Sequence, residues 1–170
     1  NNYKGSAVFH GVIVGDSNSK PTITNPTNNP FIVVANGAVV KNINITNTGA
    51  ITREQTKTGS NALYGYNDSN TDAKYYGGVI GEIMGGDNII DDVTVRYTGS
   101  TTLSGKYAHI IAEGGMVGCV VNGALIFRGF NSVTGRNSSG GGIYSNEYVG
   151  RVINGYAIYE SISGRSGSRS

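Results

Sequence analysis

Short runs of the chain alternate between apolar and polar residues. "VVKNINIT" at 39–46, "IIDDVTVR" at 89–96, "ALIFRGF" at 124–130 and "YAIYESI" at 156–162 each place apolar side chains at a period of two or close to it. That period puts one face inward, and the enrichment in Val and Ile favours a pleated backbone, so these runs predict strands. Spacing of the helical kind is absent nearly everywhere. The pattern therefore predicts an all-β fold of short strands broken by glycine.

The strands recur as copies. "GCVVNGALIFRGF" at 118–130 and "GRVINGYAIYESI" at 150–162 both follow Gly-x-Val-(Val/Ile)-Asn-Gly-x-x-Ile-(Phe/Tyr). "GGVIGEIMGGDNIIDDVTVRYTG" at 77–99 shares with "GGMVGCVVNGALIFRGFNSVTG" at 114–135 an opening Gly-Gly-hydrophobic-hydrophobic-Gly and a closing Thr-Gly. "VVANGAVVKNINITNTG" at 33–49 carries the same Asn-Gly, and its strand overlays 89–96 position for position. Related units thus lie near 33–49, 77–99, 114–135 and 147–164. One such unit cannot bury its apolar face alone, whereas stacked copies bury it against one another. The expectation is a single-domain parallel β-solenoid, or β-helix, over residues 1–164 with about four to six coils. Residues 165–170, "RSGSRS", read as a linker-like tail.

Glycine and asparagine give a competing geometry. Asn36-Gly37, Asn122-Gly123 and Asn154-Gly155 also suit type I′ hairpins, which would make the sheet antiparallel. The parallel coil is favoured because each strand then lies over its counterpart. Gly81, Gly118 and Gly150, inside strand patterns, are expected at corners with positive φ or at close approaches between coils. The polar segments 50–74, 100–106 and 136–142 follow the same strand of their units, so they are expected as loop insertions along one edge, with 50–74 the largest.

The repeats resemble a known group. "GGVIGEI", "GGMVGCV" and "EYVGRVINGYAIYESISG" look like the GLUG-type glycine-rich repeats of bacterial surface proteins over roughly residues 75–164, and "NGAVVKNINITN" looks like a coil of the wider parallel β-helix class. The resemblance implies a β-solenoid segment of a large extracellular or cell-surface protein, with a structural or adhesive role beside neighbouring domains of the same polypeptide.

Composition narrows the function. Twenty-seven glycines against three prolines, with 38% hydrophobic and 14% charged residues, describe a chain that holds a core and uses glycine architecturally. The formal charge is +2, and Arg136, Arg151, Arg165 and Arg169 lie toward the C-terminal end. No concentrated basic face outside that end suggests nucleic acid as a partner. No apolar run is long enough for membrane insertion, and no secretory leader opens the sequence, so the chain reads as beginning within a larger protein. The lone Cys119 is expected as a small buried hydrophobe.

Candidate chemistry is sparse. In "YNDSNTDAKYY" at 66–76, Asp68, Asn70 and Asp72 alternate like calcium ligands, but Ala73 and Val79 stand where an EF-hand needs Gly and Glu. No metal or cofactor is assigned. Asp91 and Asp92, with Arg96 and Arg128, imitate the acid and base set of a polysaccharide-active enzyme of the β-helix class. Neighbours on a strand point to opposite faces, however, so both carboxylates reach one groove only if the backbone is irregular there. His10 and His109 lack partners at metal spacing. Tyr64, Tyr66, Tyr75 and Tyr76, with Asn67, Asp68, Asn70 and Asp72, combine stacking faces with hydrogen-bonding groups, and they form the candidate ligand-binding set for a glycan or a host or cell-surface protein. The sequence thus points to a non-catalytic structural or adhesive module, with a lyase or glycosidase as the alternative.

Overall fold

The computed structural model describes residues 8–27, 29–49, 51–55, 76–99, 101–105, 113–135, 138–139 and 148–160. Among them every regular element is a strand, and every strand pairing is parallel. The hairpin alternative for the Asn-Gly pairs is thereby set aside. The strands follow the chain in five tiers. The first holds β1 (Val8–Phe9), β2 (Val12–Val14) and β3 (Thr22–Asn25). The second holds β4 (Ile32–Asn36), β5 (Val39–Asn47) and β6 (Ile51–Gln55). In the third come β7 (Tyr76–Gly77), β8 (Ile80–Gly85), β9 (Asp87–Tyr97) and β10 (Thr101–Gly105). The fourth contains β11 (Glu113–Gly114), β12 (Val117–Arg128), β13 (Ser132–Thr134) and β14 (Ser138–Ser139), and the fifth β15 (Val149–Tyr159).

Register follows the repeats. Val39 to Asn47 in β5 faces Ile89 to Tyr97 in β9 without a shift, as the overlay of the two runs predicts. In the twice-spelled phrase, Val120, Asn122, Gly123 and Phe127 of β12 face Val152, Asn154, Gly155 and Tyr159 of β15. Like therefore stacks on like. Ten strands form one strongly curled sheet, in which β12 pairs with β8 through its first half and with β9 through its second.

The curl comes from corners in the left-handed region. Gly37, Gly86 and Gly123 have φ of 76°, 67° and 92°, one in each of three successive tiers. A second corner places Asn42 and Asp92 at φ 54° and 58° and Gly129 at 62°. Asn and Asp are the side chains that tolerate this region best. Gly118, expected at such a corner or at a close approach, serves the latter: a Cβ there would lie 2.6 Å from the Gly81 carbonyl oxygen and 2.7 Å from the Tyr76 amide nitrogen.

Inward residues stack in columns. Ile13, Val40, Ile90, Phe127 and Tyr159 form one, Ile23, Ile45, Val95 and Val133 another, and Ala35, Ile83, Val120 and Val152 a third. Their middle members are fully buried. Backbone groups that the corners leave without a strand partner are met by buried amides. Asn88 accepts from the Ala38 N–H at 2.9 Å and donates to the carbonyls of Gly85, Gly86 and Ala124. Asn131 accepts from the Val93 N–H and donates to the Arg128 carbonyl at 2.7 Å. At the end of the next face, Asn47 donates to the Gly78 carbonyl, and one tier on Tyr97 donates to that of Gly115. The second glycine of each Gly-Gly-x-x-Gly opening thus supplies the acceptor that receives the preceding tier.

One expectation is corrected. The segment 50–74 does not start as a loop: residues 51–55 form β6, which pairs with β10, and β10 with β14. Residues 8–25 form a tier paired to the unit at 33–49, within the expected span but without the repeat pattern. The tail 165–170 lies outside the described residues.

Candidate functional site

Of the predicted ligand-binding set, Tyr64, Tyr66, Asn67, Asp68, Asn70, Asp72 and Tyr75 lie outside the described residues. Tyr76 lies within them, and its ring is fully buried, tilted at 49° against Tyr97 with centroids 6.4 Å apart. It belongs to the core and presents no stacking face to a ligand. Cys119 is fully buried against Val121, as its hydrophobic reading requires. His10 is exposed, and His109 is outside the described residues. No group of three or more His, Cys, Asp or Glu side chains able to hold a metal ion occurs among the described residues.

The carboxylates of the alternative enzyme set are bound up in ion pairs between tiers. Asp91 lies in register with Lys41 of the tier before it, and the two side chains meet at 2.8 Å. Asp92 turns at the second corner and meets Lys20 of the first tier at 2.5 Å. Arg128, in register with Asp91 on its other side, meets Glu160 of the last tier at 2.6 Å. Arg96 is exposed on β9. The positive φ of Asp92 supplies the irregularity that the strand pattern required, yet each carboxylate is directed to its own lysine.

The outcome is a charged column along one outer face. Lys41, Asp91, Arg128 and Glu160 follow one another from tier to tier with alternating sign. The hydrogen bond to Glu160 raises the Arg128 guanidinium further above its ordinary value, and the same bond holds the Glu160 carboxyl below the usual glutamate range. Exposed pairs of this kind add little stability singly, but alternation penalises any shift that brings like charges together. Sequence reasoning passed over the column although its signal was present. Aligned on the strands, the four units read "VVK", "IID", "IFR" and "IYE", with the third position changing sign each time.

Beside the column, the last tier carries apolar side chains that no described tier covers. Val152, Ile153, Tyr156, Ile158 and Tyr159 of β15 are 40–54% exposed, whereas Val120 and Phe127, the residues in register with Val152 and Tyr159, are at most 1% exposed. Phe127, Tyr148 and Tyr159 stack into an aromatic group at this end, with Phe127 and Tyr159 centroids 5.0 Å apart, and the Tyr148 hydroxyl donates to the Asn131 carbonyl. Comparisons with protein-family models, with curated proteins and with solved structures found no match.

Proposed function

We propose that the chain is a single-domain parallel β-solenoid of about four to six coils, a non-catalytic structural or adhesive module of a larger extracellular or cell-surface protein. The observation that carries this reading is the use of polar groups. The buried amides of Asn88, Asn131 and Asn47 are spent on corner backbone, and the carboxylates of Asp91, Asp92 and Glu160 on cations of other tiers. Such a molecule invests its chemistry in regular stacking. The resemblance to GLUG-type repeats supports the cell-surface setting. In this reading the insertion between β6 and β7 is the displayed segment, and Tyr64, Tyr66, Asn67, Asp68, Asn70 and Asp72 contact a glycan or a cell-surface protein.

A Tyr64→Ala, Tyr66→Ala double variant should lose at least about 2 kcal/mol of binding on a glycan or surface-protein array while its melting curve stays close to that of the parent. Equal array signals from parent and variant, with a lowered melting temperature for the variant, would defeat the display role. Turnover of polygalacturonate or alginate by the purified chain, abolished by Asp91→Ala, would replace the module reading with a polysaccharide-active enzyme.

A further inference from the structure

Each internal tier of the molecule is covered on both sides by a strand in parallel register, and the last is covered by described residues on one side only. β15 is eleven residues long and keeps the residue pattern of a covered strand, with Asn154-Gly155 in register with Asn122-Gly123, the inward Val152 and Tyr159, and the outward Glu160 directly after it, while the left-handed φ of the inner corners is not repeated at Gly155. An edge of this length with this much apolar surface is a template for another strand. Three columns state what that strand must carry. Carboxamides stack at the corner, where Asn154 donates to Asn122 at 3.2 Å. Apolar residues continue the inward columns. In the charged column the sequence of signs is Lys41, Asp91, Arg128, Glu160, so the next member must be a cation.

We propose that β15 is a docking edge for one further parallel strand of the same repeat type, carrying an arginine or lysine against Glu160. Charge selects this occupant over a second copy stacked head to tail. In such a copy the first tier would meet β15, and Val14, the residue in register with Lys41, would fall opposite Glu160 and give it no second cation beside Arg128, whereas Asp91 has a cation in register on each side. β12 is the template for the right strand: it already docks in this way on the third tier, with Arg128 against Asp91 and a corner of the same length. The proposal rests on the observed pairing of tiers and is independent of the display role and of any extracellular setting.

The test uses the full chain and a fluorescent peptide of residues 115–130 with Cys119→Ser. Saturable binding is expected, with hydrogen-exchange protection gained at 149–160. A peptide carrying Arg128→Glu should bind about tenfold more weakly or worse, because like charges then face each other. Glu160→Arg in the chain should restore the weakened peptide. Glu160→Gln, which keeps the shape and removes the charge, should bring the two peptides to similar affinity and serves if the charge reversal fails to fold. Absence of saturable binding, indifference to both charges, or protection at 8–25 in place of 149–160 would each overturn the proposal. So would concentration-dependent assembly of the chain alone, in sedimentation, that blocks the peptide.

Discussion

Asn88 shows what a single buried amide does in this fold. A corner with φ near 70° or 90° interrupts the strand ladder, yet the backbone groups around it stay out of water and need partners. Asn88 is fully buried and serves four of them, one as acceptor and three as donor. An unmet buried group costs about 1–3 kcal/mol, so Asn88→Ala should lower the unfolding free energy by about 3 kcal/mol or more, read from urea denaturation. Asn88→Asp should do no better, because a carboxylate would face three carbonyl oxygens. A loss below about 1 kcal/mol for both variants would mean that water replaces the amide and that the corner is not held by it. The sequence displayed this residue without its role: "GGDNIID" reads as a polar break before a strand, and nothing local marks Asn88 as inward while its neighbour Asp87 is exposed.

At the scale of elements, strands that share a residue pattern and a loop length were legible, and those that differ in either were not. β5 against β9 and β12 against β15 were readable because their copies align without gaps. β1 and β2 escaped because the first corner is shorter: Phe9 to Val12 spans three steps, Ala35 to Val39 four and Ile83 to Ile89 six, so equivalent residues fall out of alignment. β6, β10 and β14 escaped because "ITREQ", "TTLSG" and "SS" carry no apolar alternation, and their pairing is visible only once the tiers are stacked. The charged column ties these elements in a way that acid should reveal. The folded chain holds the Glu160 carboxyl below its unfolded value, so the pair with Arg128 contributes in full above about pH 4.3 and fades as pH falls through the depressed value. Glu160→Gln lacks that contribution. Its melting temperature should lie below that of the parent at pH 7, and the gap should close once acidification has carried the pH below the depressed Glu160 value, and narrow in high salt. A gap that persists in acid would assign it to shape rather than charge.

For the whole molecule, the order of the tiers predicts how far a disturbance travels. Among the described residues each tier pairs through the sheet only with its neighbours, with the Lys20–Asp92 ion pair reaching across one tier, so stability should behave largely as a chain of nearest-neighbour terms in place of one undivided core. The inward column Val40, Ile90, Phe127 gives a direct measure, since all three side chains are at most 1% exposed and lie in consecutive tiers. Strands in register are about 4.8 Å apart, which sets Val40 and Ile90 in contact and Val40 and Phe127 about 10 Å apart with Ile90 between them. Val40→Ala and Ile90→Ala should each cost about 2–3 kcal/mol, and Phe127→Leu about 1 kcal/mol. Combined, Val40→Ala with Ile90→Ala should depart from the sum of its parts by 0.5 kcal/mol or more, roughly the least that residues in contact display, because the second truncation enlarges a cavity already opened. Val40→Ala with Phe127→Leu should add to within about 0.5 kcal/mol. Equal coupling in the two pairs, measured by denaturant unfolding, would mean that the tiers do not act as separable layers. The regular register then would have a different energetic basis from the stepwise one its pairing implies.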